Sequence, residues 1–254
     1  MQVEEIDREG APESVMPDFK VKPDVSSPWL ALALLVPVPS IAIILSFWWL
    51  PGSKIAENFW LISKLWILIL PVVWHIFIAK QRMPKLNFSN KVDNKWGISI
   101  GILSMLVIAA TYFSVGSDFI TSTENLKGVL GDYGLLDIRK FILFALSICF
   151  LNALVEEYVW RWFCLHQCKR IFGFGYFGHI LAILFSSAFF TIHHFFAIKK
   201  FFEFEATVLC CVGVFLAGVS WSLLYKKSGS LIPGYIAHLL ADVAVFVLAW
   251  VLVN

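Results

Sequence analysis

Long apolar runs separated by short polar segments dominate the chain. A helix needs about 20 mostly apolar residues to cross a hydrocarbon layer about 30 Å thick. Seven runs reach this length, at residues 29–51, 59–79, 96–116, 141–166, 179–198, 206–225 and 231–253. Backbone groups in lipid must be satisfied within the segment, and the runs lack the period-two alternation of a membrane β-barrel. The predicted fold is therefore an all-α, multi-pass bundle of about seven transmembrane helices.

Polar segments divide the chain into three parts. Residues 1–28 are polar and of mixed charge and contain four prolines, which predicts a disordered tail. Residues 29–138 contain the first three runs, and residues 139–254 contain the other four. We expect the first of these two parts to be structural and the second to carry the chemistry.

Composition and charge support a membrane protein and exclude other classes. The chain has 254 residues, is 59% hydrophobic and has a mean hydropathy of +0.78, which exceeds what a soluble domain needs for its core. The net charge of +2 comes with no basic stripe, so no nucleic-acid partner is expected. Segments on one side of the bilayer carry 12 lysines and arginines and those on the other carry 6. This bias predicts a cytoplasmic N-terminus, and the compact length suits a bacterial inner membrane.

Several polar and sulfur-containing side chains of the runs are expected to be structural. Lys64 lies near an end of the second run and can extend its amine to the headgroups, while His75 fits a hydrogen-bonded core position. Cys164, His166 and Cys168 could suggest a metal site, but on a helix His166 points away from the two cysteines. Packing is therefore the favoured interpretation, and the odd total of five cysteines argues against a disulfide framework.

Three charged residues interrupt the fourth run. Glu156, Glu157 and Arg161 have apolar neighbours on both sides, and ionisable groups inside a bilayer are costly and mark candidate functional sites. Glu157 and Arg161 are four residues apart and are expected to pair on one helix face. Glu156 is rotated by about 100° and is expected to have no partner within its own helix. A helix-packing ion network remains the alternative for all three.

Two later runs bring further polar groups to the same depth. The fifth run contains His193 and His194, and the seventh contains His238 and Asp242, whose spacing of four allows a hydrogen bond on one face. Measured along the helices, Glu156, His193, His238 and Asp242 lie about 10 to 21 Å from the cytoplasmic ends. Packing alone explains this coincidence poorly, so the sequence predicts a site inside the membrane.

The residue types at this level limit the possible chemistry. The chain has no His-Glu-x-x-His zinc motif, no Gly-x-Ser-x-Gly elbow and no pair of intramembrane aspartates. A glutamate and an imidazole can together deprotonate a water, and a second imidazole can stabilise the oxyanion that forms when water attacks an amide. Peptide-bond hydrolysis without a nucleophilic side chain fits this set.

These residues resemble the motifs of the CAAX-processing and bacteriocin-processing (CPBP) family of intramembrane proteases, also called the Abi or type II CAAX prenyl endopeptidase family. The first motif, Glu-Glu-x-x-x-Arg, begins at Glu156. The second, Phe-x-x-x-His, ends at His193 and equally at His194. The third, His-x-x-x-Asn or Asp, begins at His238, and the resemblance covers about residues 139–250.

The resemblance implies a role for each site residue. Glu156 is implied to activate the water, with His193 favoured over His194 as its assistant, while His238 and Asp242 stabilise the oxyanion. Eukaryotic prenyl proteases of this family carry Asn in place of Asp242, so this aspartate is expected to orient His238 or, if protonated, to donate a hydrogen bond itself. The remaining motif residues are implied to support these groups: Glu157, Arg161 and His194.

The implied activity is that of an intramembrane endopeptidase of the glutamic type, acting on a peptide or protein in or at the bilayer. No cofactor is expected, although zinc held by the carboxylates and histidines is the less favoured alternative. A second interpretation is a non-catalytic immunity or scaffold protein that uses the same polar core for binding. The sequence leaves the substrate open among prenylated tails, bacteriocin leaders and C-terminal sorting anchors.

Overall fold

The protein folds as a helical bundle in a computed structural model that describes residues 26–83, 87–116 and 123–253. The helices of these ranges are α1 Pro28–Trp49, α2 Lys54–Ile78, α3 Lys91–Ser114, α4 Thr123–Asp132, α5 Ile138–Phe172, α6 Tyr176–Ile198, α7 Phe204–Ser228 and α8 Ile232–Val253. Seven of them, all except the short α4, are long and apolar enough to cross a membrane. The all-α, seven-span prediction is confirmed. The tail predicted for residues 1–28 lies, up to residue 25, outside the described residues.

Local sequence signals determine where several helices begin and end. Ser27, Ser53 and Asn90 accept hydrogen bonds from backbone N–H groups of the first turns of α1, α2 and α3, as capping residues do. Asp137 does the same for α5. Helix α7 ends at Ser228 and is followed by Gly229, whose φ of 63° lies in the left-handed region that favours glycine. The apolar pattern did not reveal α4, because this short helix lies in a polar segment.

The C-terminal half of α5 lies in the centre of the bundle. The largest cluster of buried apolar side chains includes Trp160 and Phe163 of α5, Phe190 of α6 and Trp221 of α7. Helix α8 approaches α3 closely at Gly97, where an added Cβ would come within 2.5 Å of the carbonyl oxygen of the first turn of α8. Small residues allow such close contact between membrane helices. Within this bundle the charged side chains of α5, Glu156, Glu157 and Arg161, are buried.

Helix α5 changes its winding on both sides of the acidic pair. Two π-helical stretches, Ser147–Asn152 and Tyr158–Cys164, flank the α-helical turn Ala153–Glu157. The carbonyl of Trp160 accepts a hydrogen bond from the backbone N–H of Leu165, the residue after the second stretch, and another, of 2.9 Å, from the hydroxyl of Ser186 on α6. Such π-helical turns are frequent at functional sites, and an apolar run gives no sign of them.

Candidate active site

Three helices bring ionisable side chains together in the interior of the bundle. Glu156 and Glu157 come from α5, His193 from α6 and His238 from α8, and each is at most 7% exposed. Asp242, which lies on α8 four residues after His238, is more accessible, with 22% of its side chain exposed. The structure therefore joins the groups that the sequence had placed at one depth.

The carboxylate of Glu156 lies between two imidazole rings. Its Oε1 is 3.6 Å from Nε2 of His193, and its Oε2 is 3.6 Å from Nε2 of His238. Both distances exceed the length of a direct hydrogen bond. A carboxylate oxygen and a ring nitrogen at this distance can both contact one water molecule. Oε1 also accepts a hydrogen bond of 2.9 Å from the side-chain amide of Asn152, four residues earlier. The expectation that Glu156 has no partner within its own helix is therefore wrong.

Glu157 and Arg161 form the predicted pair, and it is buried. Arg161 Nε lies 3.4 Å from Glu157 Oε2, and the two side chains are 1% and 0% exposed. The guanidinium carbon of Arg161 also lies 4.5 Å from the ring centre of Phe190 and 5.1 Å from that of Trp221. Aromatic faces stabilise a cation at such distances. The pair and the rings thus hold a positive charge beside the cluster.

His238 is oriented by Glu157 and by an aromatic ring. Its Nδ1 donates to Glu157 Oε1 over 3.0 Å, since an ionised carboxylate can only accept. Its ring stacks on Trp221, with centres 4.2 Å apart and planes 19° apart. Nε2 faces Asp242 Oδ1 at 3.7 Å, too far for a hydrogen bond. The hydrogen bond that orients His238 thus comes from Glu157, while Asp242 lies within ion-pair distance of the other ring nitrogen.

Both histidines of α6 lie close to Glu156. His193 stacks on Trp160, with ring centres 5.3 Å apart and planes 7° apart. Nδ1 of His194 donates to the carbonyl of Phe190 over 2.9 Å, and the two histidine rings are centred 4.1 Å apart. The ring of His194 therefore bonds its own helix and lies beside the cluster.

One group of donors has the spacing of a metal site. A ligand atom from each of Glu156, His193 and His194 lies within 4.8 Å of the others, and within the described ranges no second group of three such residues does so. A carboxylate with two imidazoles suits a divalent ion such as zinc. The Cys164–Cys168 segment forms no such group, and both of its cysteines are buried, in agreement with a packing role.

Lys64 of α2 reaches this cluster, which the sequence did not indicate. Its Nζ donates to the side-chain oxygen of Asn152 over 2.6 Å, and Asn152 in turn contacts Glu156. The expected extension of Lys64 towards the headgroups is therefore wrong. Hydropathy gives the depth of a lysine but not the direction of its side chain, whereas the spacing of four between Asn152 and Glu156 was a usable signal.

Comparison with known families identifies the segment that carries the cluster. Residues 138–244 match the family model described as Type II CAAX prenyl endopeptidase Rce1-like. This range extends from the first residue of α5 into α8 and includes the acidic pair, both α6 histidines, His238 and Asp242. No curated protein and no solved structure matches the chain. The match confirms the resemblance, and a family of endopeptidases implies a protease that acts on a protein or peptide.

Proposed function

From the premise that residues 138–244 form an Rce1-like type II CAAX prenyl endopeptidase domain, we propose that this protein is an intramembrane endopeptidase. It hydrolyses a peptide bond of a membrane-associated peptide or protein. The observation that carries the proposal is the position of Glu156, buried and 3.6 Å from the rings of both His193 and His238. In this arrangement the Glu156 carboxylate is the base. His193 lies on one side of it to help hold the water, and His238 lies on the other side to donate to the oxyanion.

The first step is activation of water. A water held between Glu156 Oε1 and His193 Nε2 gives its proton to the carboxylate, and its oxygen attacks the carbonyl carbon of the scissile bond. Carboxylates and imidazoles are suited to such proton transfer when they lie within one water of the reacting group. The reaction needs no nucleophilic side chain, because the water itself forms the new C–O bond.

The second step is stabilisation of the tetrahedral intermediate. Nε2 of His238 donates to the oxyanion when the ring carries both protons, since Nδ1 already donates to Glu157. The carboxylate of Glu157, 3.0 Å from Nδ1, balances the charge of this form. Glu156 then returns its proton to the leaving amine, and the C–N bond breaks.

A metal-dependent version of the same hydrolysis is supported by the group Glu156, His193 and His194. These three side chains would hold the ion through one carboxylate oxygen and two ring nitrogens. A bound divalent ion would act as a Lewis acid that activates the attacking water. Removal of metal with a chelator, followed by addition of zinc, distinguishes this metal-dependent mechanism from the glutamic one.

We propose that the N-terminus is cytoplasmic, and the compact length of the chain suits a bacterial inner membrane. The support is the two-to-one excess of lysines and arginines on one side of the predicted spans. A non-catalytic immunity or scaffold protein would share the fold but would leave its partner intact. Cleavage therefore distinguishes the two classes.

The test compares the C-termini of membrane proteins in cells that express the wild type, Glu156→Gln or no protein. New C-termini are expected only with the wild type. The matched control is Glu205→Gln, which changes an exposed glutamate of α7 outside the cluster and should cleave like the wild type. Identical C-termini in all cells, with the protein present in the membrane, would contradict an endopeptidase.

A further inference from the structure

A lysine from outside the matched domain is connected to the candidate base through one amide. Lys64 lies ten residues into α2, among apolar neighbours. Its Nζ lies 2.6 Å from Asn152 Oδ1, and Asn152 Nδ2 lies 2.9 Å from Glu156 Oε1. Both bonds are charge-assisted, because one has an ammonium as donor and the other a carboxylate as acceptor.

The register between α2 and α5 determines which residues face each other. The hydroxyl of Tyr158 donates to the carbonyl of Leu68 over 3.1 Å, and the rings of His75 and Trp162 are centred 5.3 Å apart. Together with the bond between positions 64 and 152, these contacts show that the two helices run side by side in the same direction. Lys64 is thus held opposite Asn152 by contacts on its C-terminal side.

The side chain of Asn152 has the chemistry that the link requires. It is the last residue of the π-helical stretch Ser147–Asn152 and lies one turn before Glu156. An amide can accept from an ammonium and donate to a carboxylate at once, whereas an ionised aspartate only accepts and a leucine does neither. Lys64 is also supported by the ring of Trp60, 5.1 Å from its Nζ.

We propose that Lys64 and Asn152 are positioning residues that hold the carboxylate of Glu156 in place for hydrolysis. Asn152 fixes Oε1, and Lys64 fixes the amide of Asn152 so that its donor side faces Glu156. The inference rests on the proposed peptidase function and adds a requirement for a helix that lies outside residues 138–244. Neither residue takes a proton or contacts the scissile bond.

The kinetic signature of positioning is a change in kcat. Groups that orient a reacting side chain contribute about 10 to 100-fold to activity at metal sites. With the membrane protein found in the cellular comparison as substrate, Lys64→Met should lower kcat by about that factor while KM changes little. Lys64→Arg keeps a donor and should restore part of the loss. Because Lys64 acts through Asn152, the double variant with Asn152→Leu should be no slower than Asn152→Leu alone.

The matched control lies on the same helix. Lys54 pairs with Glu57 over 2.6 Å, and its side chain is 87% exposed. Lys54→Met removes a lysine from α2 without touching Asn152 and should leave kcat unchanged. Thermal unfolding of the purified variants in detergent should show that Lys64→Met and Asn152→Leu are also non-additive in stability, a readout that needs no substrate.

The outcomes separate this inference from the proposed function. An additive stability cycle would show that the link is absent, and an unchanged kcat in Lys64→Met beside an inactive Glu156→Gln would show that the link positions nothing. Either result overturns the inference and leaves the peptidase intact. A wild type that cleaves no membrane protein overturns the proposed function and the inference with it.

Discussion

The carboxylate of Glu157 and the imidazole of His238 join α5 to α8 through a hydrogen bond of 3.0 Å between Oε1 and Nδ1. The other oxygen of Glu157 faces Arg161. Gly234, one turn before His238, permits this approach, because an added Cβ would come within 2.7 Å of Glu157 Oε2. Glu157 therefore orients a ring of the candidate site and pairs with a buried cation.

Glu157→Gln should lower both stability and activity. Breaking a buried ion pair by removing one partner costs about 3 to 5 kcal/mol, since the other charge is left unpaired. Arg161 would be that charge, although the rings of Phe190 and Trp221 still face it. Thermal unfolding in detergent should show a lower Tm than for Glu205→Gln, the exposed control. Equal Tm values would show that the pair contributes nothing to stability.

The two histidines of α6 should differ in their effect on cleavage. We expect His193→Ala to abolish it, because Nε2 of this ring lies 3.6 Å from Glu156 Oε1. His194→Ala should retain activity, because the Nδ1 of that ring is already bonded to a carbonyl of its own helix. Single-turnover cleavage by each purified variant decides the assignment, and an active His193→Ala beside an inactive His194→Ala would reverse it.

Asp242→Asn should cleave at nearly the wild-type rate. The orientation of His238 depends on Glu157, while Asp242 Oδ1 is 3.7 Å from Nε2 and makes no hydrogen bond with it. Asn keeps the size of the side chain. Its amide can donate to an oxyanion, as a protonated aspartate would. Rates measured from about pH 5 to about pH 9 should follow the wild-type profile. A loss of about 10 to 100-fold, as for lost orienting carboxylates, would restore the orienting role to Asp242.

Metal removal tests the glutamic mechanism against the metal-dependent one. In the glutamic mechanism, activity should survive prolonged dialysis against a strong chelator, because Glu156 and His193 suffice to activate water. Loss of activity that added zinc restores would instead assign Glu156, His193 and His194 as ligands. His194→Ala gives the matched check, since it should weaken zinc binding only in that case.

The sequence predicted the fold well because span length is a property of composition. Each of the seven spans needs only a long apolar run, and ionisable residues inside such runs are visible without knowledge of helix packing. Glu156, His193 and His238 were found in this way. Their common depth followed from the rise of a helix.

Contacts between helices could not be predicted in the same way. An apolar run does not fix the rotation of its helix, so neither the bond between Glu157 and His238 nor the inward direction of Lys64 could be derived from it. The π-helical stretches of α5 add a second uncertainty, because they change which side chains share a face. The bond between Asn152 and Glu156 lies within α5 instead, and a spacing of four residues on a helix predicts such a contact.

Cleavage by purified protein in liposomes tests directly whether Glu156 is the base. The substrate is a membrane protein that shows a new C-terminus in cells that express the wild type. The two enzymes compared are the wild type and Glu156→Gln. We expect cleavage by the wild type and none by a folded Glu156→Gln variant, since an amide cannot accept the proton of the attacking water. A Glu156→Gln variant that cleaves at the wild-type rate would contradict the assignment of Glu156 as the base.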